Sequence, residues 1–127
     1  MERMSKEAII TERVVTPRGP YSQGIRSGHL VFVAGQGPLN LDGGIVGETI
    51  EEQTAKTLSN VREILETAGA DMADVVKTTV HLADLALFQG FNDEYARHFP
   101  DPKPARTTVG SNLPEGMFIE IDAIAVA

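Results

Sequence analysis

The chain carries its strongest structural signal in the segment Pro104-Ala-Arg-Thr-Thr-Val-Gly-Ser-Asn-Leu-Pro-Glu-Gly-Met-Phe-Ile-Glu-Ile-Asp-Ala-Ile-Ala-Val-Ala127. Its first part contains the β-branched residues Thr107 and Thr108, and its middle part, 113–116, is rich in turn residues. Its last part, 117–126, alternates between apolar and mixed side chains at period two. This order predicts two strands that pair as a β-hairpin.

The final strand has two different faces, because successive side chains of a strand point to opposite sides of a sheet. One face is apolar and is predicted to lie in the core. The other face mixes carboxylates with apolar side chains, which suits neither a core nor an open surface. The core face carries Met117, Ile119, Ile121, Ala123 and Ala125, and the mixed face carries Phe118, Glu120, Asp122, Ile124 and Val126.

The predicted hairpin makes Arg106 and Glu120 candidates to meet across the sheet or across a subunit boundary. An arginine fork fits a substrate carboxylate with two hydrogen bonds and stays charged at any working pH. A neighbouring glutamate could position or deprotonate a water molecule. The alternative is a structural Arg–Glu salt bridge, and the spacing of the residues alone favours that alternative.

Composition limits the class of protein. The 127 residues fit one domain, 1–127, with a single core, and no apolar run is long enough to suggest a membrane span. The formal net charge of −7 repels phosphate backbones, so no nucleic-acid partner is expected. The sequence contains no cysteine, which excludes disulfides and thiolate nucleophiles, and its start does not resemble a secretory signal. The expected location is the cytoplasm.

The rest of the chain predicts alternating strands and helices, in the order β, β, β, α, β, α, β, β. The clearest helix begins after Thr49, whose spacing to Glu52 is that of a capping box, and ends before Gly69. The predicted elements are strands at Lys6–Val15, Gly24–Ser27, His29–Ala34 and Asp74–Leu82, and helices at Thr49–Ala68 and Leu85–Phe99.

Two helices can cover one face of such a sheet, which leaves the other face open. By alternation, the open face is predicted to be too polar for a core and too apolar for water. A homo-oligomer that closes sheet against sheet would resolve this, with sites at the subunit boundaries. The predicted open face carries Lys77, Thr79, His81, Arg106, Thr108, Phe118, Glu120 and Ile124.

The sequence lacks the residues that several other kinds of site require. Gly35-Gln-Gly37 misses the third glycine of a dinucleotide fingerprint, and no Gly-x-Ser-x-Gly elbow occurs. The three histidines lack the spacing of a zinc site, so no metal is expected. Tyr21 could line a pocket or pack as an ordinary aromatic residue, and Asn92 could contact a ligand or lie on a helix surface; the second reading is favoured for both.

These segments together resemble the Rid (YjgF) family of reactive-intermediate deaminases over nearly the whole chain. The resemblance rests on Gly19-Pro-Tyr-Ser-Gln-Gly24, Val33-Ala-Gly-Gln36, Asn60-Val61, Val76-Lys-Thr-Thr-Val80, Phe91-Asn-Asp-Glu-Tyr95, Pro104-Ala-Arg106, Leu113-Pro114 and Ile119-Glu-Ile-Asp-Ala-Ile-Ala125.

The resemblance implies a chorismate-mutase-like α+β fold, a twisted sheet with two helices on one face, assembled as a homotrimer with clefts between subunits. It implies hydrolysis of short-lived enamine and imine acids, such as 2-aminoacrylate and 2-iminobutanoate, to 2-oxo acids and ammonia without a cofactor. Arg106 would hold the substrate carboxylate and Glu120 would orient the attacking water. The residues implied to line the cleft are Tyr21, Ala34, Gly35, Asn92 and Thr108.

Two positions depart from the family pattern. Thr108 stands where many members have cysteine, and Ala34 where many have serine, which bears on substrate range more than on reaction type. Two other functions stay open at this point. One is a trimer that binds 2-oxo acids or related carboxylates without turnover. The other is a ribonuclease or translation inhibitor, which the acidic balance disfavours.

Overall fold

The computed structural model describes residues 5–127, which form one six-stranded sheet and two α-helices. The element order confirms the order predicted from the sequence, and the class is α+β. The strands are β1 (Lys6–Ile9), β2 (Gly24–Ser27), β3 (Leu30–Gln36), β4 (Val75–Leu82), β5 (Ala105–Gly110) and β6 (Ile119–Val126), and the helices are α1 (Ile50–Thr67) and α2 (Phe88–Tyr95). Short 3-10 turns, Met72–Asp74 and Leu85–Leu87, precede β4 and α2.

The strand order in the sheet is β1-β2-β3-β6-β4-β5. All neighbours are antiparallel except β4 and β5, which run parallel. The predicted pairing of β5 with β6 is therefore wrong, because β4 lies between them. The turn residues at 113–116 return the chain past β4 instead of closing a hairpin, and β4 bonds to a strand on each side.

Helix α1 begins and ends as the sequence predicts. Thr49 Oγ1 accepts a hydrogen bond from the Glu52 amide at 3.1 Å, and the Glu52 carboxylate accepts one from the Thr49 amide at 3.2 Å. The Glu48 amide and then the Thr49 side chain lower the pKa of the Glu52 carboxyl. Gly69 follows the helix with φ +82°, a conformation that glycine adopts without a steric penalty.

The core lies between the helices and one face of the sheet. Each fully buried aliphatic or aromatic side chain contributes about 1.5–3 kcal/mol. The alternation predicted for β6 is confirmed, since its apolar face is buried and its mixed face is half-buried. The least exposed core residues include Val31, Val61, Ile64, Leu65, Val80, Leu82, Phe91, Ile119, Ile121 and Ala125.

Buried amide side chains hold the loops against this core. Asn60 on α1 donates to the carbonyls of Gly37 at 3.0 Å and Leu39 at 2.9 Å, just after β3. Loop carbonyls have no strand partner, so a side-chain donor is needed to keep them satisfied when buried. Gln53 donates to the carbonyls of Gly47 and Gly116 and accepts from the Phe118 amide. Gln23 donates to the carbonyls of Thr11, Val14 and Val15 and accepts from the Thr11 amide.

Two predicted elements are too long. The first strand ends at Ile9, because the Thr11 amide and carbonyl bond to the side chain of Gln23 instead of to a strand. The second helix begins as a 3-10 turn and is α-helical only to Tyr95. Within residues 5–127, no helix has the length and apolar character needed to cross a membrane.

Candidate functional site

Arg106 lies on the same sheet face as the helices. It is in register with Thr78 of β4, which is fully buried toward the helices, so both side chains point to that side. The prediction that Arg106 and Thr108 share the open face is therefore wrong. Two observations support this assignment: Lys77 on the opposite face bonds to Thr107, and the Arg106 guanidinium lies over rings of α2.

Three aromatic rings surround the Arg106 guanidinium. Its central carbon lies 4.9 Å from the ring centres of both Phe91 and Tyr95, and 5.7 Å from that of Phe88. Stacking on ring faces fixes the plane of a guanidinium and leaves its N–H edges available. Arg106 makes no hydrogen bond or ion pair with any other residue in 5–127. We conclude that it is a positioned cation with unused donors.

Helix α2 supplies these rings because of its spacing. Phe88, Phe91 and Tyr95 recur every three or four residues and so share one helix face. The Tyr95 hydroxyl lies 2.7 Å from Thr78 Oγ1 and fixes the helix to β4. Burial raises the pKa of Tyr95, against smaller lowering effects of the Thr78 bond and the Arg106 charge, so the phenol stays neutral.

Asn92 shares a pocket of about 450 Å³ with Arg106. Its side-chain oxygen is buried, and it finds no hydrogen-bond partner among the described residues. The oxygen has almost no exposed surface, so a donor in the pocket would reach it only after the Asn92 side chain rotates. The pocket is lined by Asn92, Tyr95, Ala96, Lys103, Pro104 and Arg106.

Lys103 is a second cation at this pocket, but its ammonium is already engaged. It donates to the carbonyls of Ala96, at 3.1 Å, and Phe99, and it lies 3.6 Å from an Asp101 carboxylate oxygen. These contacts tie the 100–103 segment to the end of α2. Arg106 is therefore the cation of the pocket whose donors are available.

Glu120 lies on the open face, which we define as the sheet face turned away from the helices. Its neighbours along β6, Ile119 and Ile121, are fully buried on the other side. β3 has a register shift between Val33 and Gln36, and a Cβ placed on Gly35 there would lie 2.8 Å from Glu120 Oε2. Glycine at position 35 therefore allows the carboxylate to lie against the backbone of β3.

Arg106 and Glu120 do not meet within one chain. β4 separates their strands, and their side chains point to opposite faces of the sheet. Both the predicted contact across the sheet and the alternative of a salt bridge within the chain are therefore wrong. Strands are about 4.8 Å apart, so these two strands are roughly 10 Å apart before the opposite directions are counted.

The remaining predicted site residues lie near Arg106, near Glu120 or in a separate loop. Thr108 is in register with Val80, on the same side as Arg106. Ala34 lies beside Gly35; its amide donates to the Gln23 carbonyl at 2.9 Å.

Tyr21 lies elsewhere, 54% exposed, with its hydroxyl at 3.5 Å from the Arg18 amide. It lines a larger and mostly apolar pocket of about 490 Å³ with Ile10 and Leu41, and that pocket contains neither Arg106 nor Glu120. Its charged lining residue is Glu12, which would repel a carboxylate. The smaller pocket therefore has the chemistry for an anionic ligand.

Sequence reasoning missed two features of the site. The aromatic residues of α2 recur at helical spacing in the sequence, but their role as a cover for Arg106 had no signal before the strand positions were known. His81 was placed on the open face, but its register partner Glu120 was not foreseen. Knowing that β4 pairs with β6 would have identified Glu120 as the partner of His81.

Comparisons with known proteins find relatives over nearly the whole chain. The family model described as Endoribonuclease L-PSP matches residues 11–127. A RutC family protein of Pyrococcus abyssi is 48% identical over 96% of this chain and 98% of its own length. The chloroplastic Reactive Intermediate Deaminase A of Arabidopsis thaliana is 46% identical over 96% of this chain and 66% of its own length. The crystal structure of E. coli TdcF with bound serine superimposes with a TM-score of 0.87 and 34% identity, covering 95% of this chain and 98% of that one.

Proposed function

The chain belongs to the Endoribonuclease L-PSP family, the Rid (YjgF) family, and from this premise we propose that it is a hydrolytic deaminase of reactive enamine and imine acids. The substrates are of the 2-aminoacrylate and 2-iminobutanoate type, and the products are 2-oxo acids and ammonia. The protein works as a homotrimer in the cytoplasm, with its sites in the clefts between copies.

The observation that carries the proposal is the pairing of two unused groups in one pocket. Within the described residues, Arg106 has free guanidinium donors, and Asn92, which lines the same pocket, has a side-chain oxygen without a partner. An α-imino acid carries a carboxylate and an N–H donor on adjacent carbons, so it suits both groups at once. A simple carboxylate suits the arginine but leaves the Asn92 oxygen unsatisfied.

Glu120 supplies the second half of the chemistry. Water attacks the carbon of the protonated imine, the C=N π electrons move to nitrogen and leave it neutral, and the Glu120 carboxylate accepts a water proton. The resulting carbinolamine then loses ammonia and leaves the 2-oxo acid. An iminium carbon is already electrophilic, so positioning and charge complementarity are enough, and no nucleophilic side chain is required.

The site needs two copies of the chain, because Arg106 and Glu120 lie on opposite faces of the sheet. The open face supports such an assembly, since it exposes apolar side chains beside half-buried carboxylates. Covering it with a second sheet removes this apolar area from water. The exposed or half-buried apolar residues of that face are Leu30, Phe32, Ile124, Val126 and Val109.

The other predicted residues have supporting roles in this proposal. Gly35 and Ala34 line the cleft beside Glu120, Thr108 lines it beside Arg106, and Tyr21 closes it from a loop. The serine bound to the TdcF relative is an α-amino acid with the same carboxylate and nitrogen arrangement as the proposed substrates. The likeness in ligand chemistry supports an amino-acid-derived substrate here.

The test is release of ammonia and 2-oxobutanoate from 2-iminobutanoate generated in situ by a dehydratase. The wild type is compared with Arg106→Ala and Glu120→Gln. Arg62→Ala serves as a control because Arg62 is half exposed and, within residues 5–127, forms an ion pair with Glu66 alone. We expect Arg106→Ala and Glu120→Gln to lower the enzyme-dependent rate by about 100-fold or more, and Arg62→Ala to leave it unchanged.

Two other outcomes would replace this proposal. If wild type only matches the uncatalysed rate but binds 2-oxobutanoate in an Arg106-dependent way, the protein is a carboxylate-binding module. Cleavage of RNA by the purified protein would support the activity in the family model's description, against which the net charge of −7 argues.

A further inference from the structure

His81 lies directly opposite Glu120 on the open face. The two residues are register partners in the antiparallel pairing of β4 with β6, and both are half-buried. Opposite residues in such a pair have Cβ atoms about 5 Å apart, so both side chains leave the sheet on the same face, and the Glu120 carboxylate then extends toward Gly35 of β3. Val80 and Leu82, which flank His81, are fully buried on the helix side and fix this orientation.

Ser111 holds the His81 ring from one side. Its hydroxyl oxygen lies 2.7 Å from His81 Nδ1, and its own amide donates to the Leu82 carbonyl at 2.9 Å. A bond to one ring nitrogen fixes the ring and leaves the other nitrogen for chemistry. Nε2 of His81 has no hydrogen-bond partner within residues 5–127, and its ring does not form an ion pair with Glu120.

The charged residues around His81 are mainly carboxylates. From β6, Glu120 and Asp122 share its face, and from β5 the residues beside it are uncharged. Lys77 is the cation of β4 on the same face, and its ammonium is held by the Thr78 carbonyl and Thr107 Oγ1, each at 2.9 Å.

We propose that His81, oriented by Ser111, is a catalytic residue that donates the proton to the leaving nitrogen, beside Glu120 as the base. This inference rests on the proposed function. It follows from the face that His81 shares with Glu120, from the bond at Nδ1 and from the unused Nε2.

The leaving nitrogen needs a proton, and His81 can supply it while Glu120 holds the proton taken from water. In the first step the water oxygen bonds to the carbon of the protonated imine, the C=N π pair becomes a lone pair on the NH2 nitrogen, and one water proton passes to Glu120. In the second step the C–N bond breaks, its electron pair leaves with nitrogen, and nitrogen takes a proton from His81 Nε2. The hydroxyl proton is released as the C=O bond forms, and the proton on Glu120 returns to His81 through solvent, which resets both groups.

The experiment measures ammonia release from 2-iminobutanoate with full-length His81→Gln, His81→Ala and Ser111→Ala proteins. We expect the His81 variants to lose about 100-fold in kcat with KM changed less than about twofold, and Ser111→Ala to lose about tenfold. Added imidazole should restore at least about a tenth of the lost rate of His81→Ala, which a purely structural defect would not permit. Asp122→Asn is the matched control from the same face and should keep kcat within about twofold.

Circular dichroism and gel filtration check that the variants fold and assemble like the wild type. Full kcat in His81→Gln, or a loss in His81→Ala that imidazole does not restore, overturns the role of His81 while the deaminase stands. A wild-type rate equal to background overturns the proposed function, and the role of His81 with it. The two failures are therefore distinguishable in one set of assays.

Discussion

The arginine side and the glutamate side of the candidate site are built in different ways. The arginine side comes largely from one segment, 84–106, in which α2 and the start of β5 place rings around a cation. The glutamate side takes Gly35, His81 and Glu120 from three strands far apart in the sequence. The spacing of nearby residues therefore determines the arginine side, whereas the glutamate side depends on the register between strands. The two sides lie on opposite faces, so each is incomplete alone.

The strongest test of this division is complementation between two inactive proteins. Arg106→Ala and Glu120→Gln should each be inactive alone. When the two are mixed under conditions that exchange subunits, about a quarter of the sites in a random assembly combine an intact arginine with an intact glutamate from another copy. We therefore expect about a quarter of the wild-type rate from the mixture. Activity that stays at background in verified mixed oligomers would show that the site does not form between copies.

Gly35→Ala tests the close approach on the glutamate side. The added Cβ would lie 2.8 Å from Glu120 Oε2 and would displace the carboxylate. A shift of about 1 Å at a reacting group can cost about 100-fold, so we expect a loss of about 10- to 100-fold in kcat/KM. Gly110→Ala on the arginine side is the matched control, because its Cβ would lie 3.4 Å from Leu85 at ordinary contact. Equal activity of both variants would contradict the positioning role of Gly35.

Asn60→Ala tests the loop behind the glutamate side. The change leaves the buried carbonyls of Gly37 and Leu39 without their donor. We expect a loss of about 2–3 kcal/mol in the free energy of unfolding, measured by urea denaturation, since each unsatisfied buried group costs about 1–3 kcal/mol. Arg62→Ala on the exposed face of the same helix should change stability by less than about 0.5 kcal/mol. A loss of that small size in Asn60→Ala would mean that water replaces its hydrogen bonds.

Tyr95→Phe tests the arginine side with the smallest effect. Removing the hydroxyl leaves Thr78 Oγ1 unpaired, and we expect a loss of about 1 kcal/mol at neutral pH. Burial raises the pKa of Tyr95 above its ordinary value of 10.0, so the neutral phenol is favoured in the folded state. The wild type should therefore lose stability as the pH rises above about 10, and Tyr95→Phe should lose less. Tyr21→Phe, at an exposed tyrosine, is the control and should behave like wild type.

The elements and the core could be predicted from the sequence because their signals are local. The capping box at Thr49, the glycine after α1 and the alternation in β6 each lie within a few residues. The pairing of strands that are distant in the sequence could not, because hydrogen bonds between such strands leave no short-range pattern. The turn chemistry at 113–116 favoured a hairpin, and only the position of β4 decides against it.

The candidate site divides in the same way. Arg106 and Glu120 could be singled out by their chemistry, but their faces could not, since a one-position change in register moves a side chain to the other face. His81 lies in an alternating strand like many other residues, and only its pairing with Glu120 of β6 indicates a functional role. The helical spacing of Phe88, Phe91 and Tyr95 was visible in the sequence. The position of the Arg106 guanidinium against their rings was not.

The central place of β6 governs how the sheet can form during synthesis. The ribosome makes β1, β2 and β3 first and then β4 and β5, and the strand that joins these two groups comes after both. Until β6 emerges, the inner edges of β3 and β4 expose unpaired amides and carbonyls, which invite association with other chains. The nascent chain therefore passes through a vulnerable interval, and we expect chaperone contact to concentrate there and to end when β6 closes the gap.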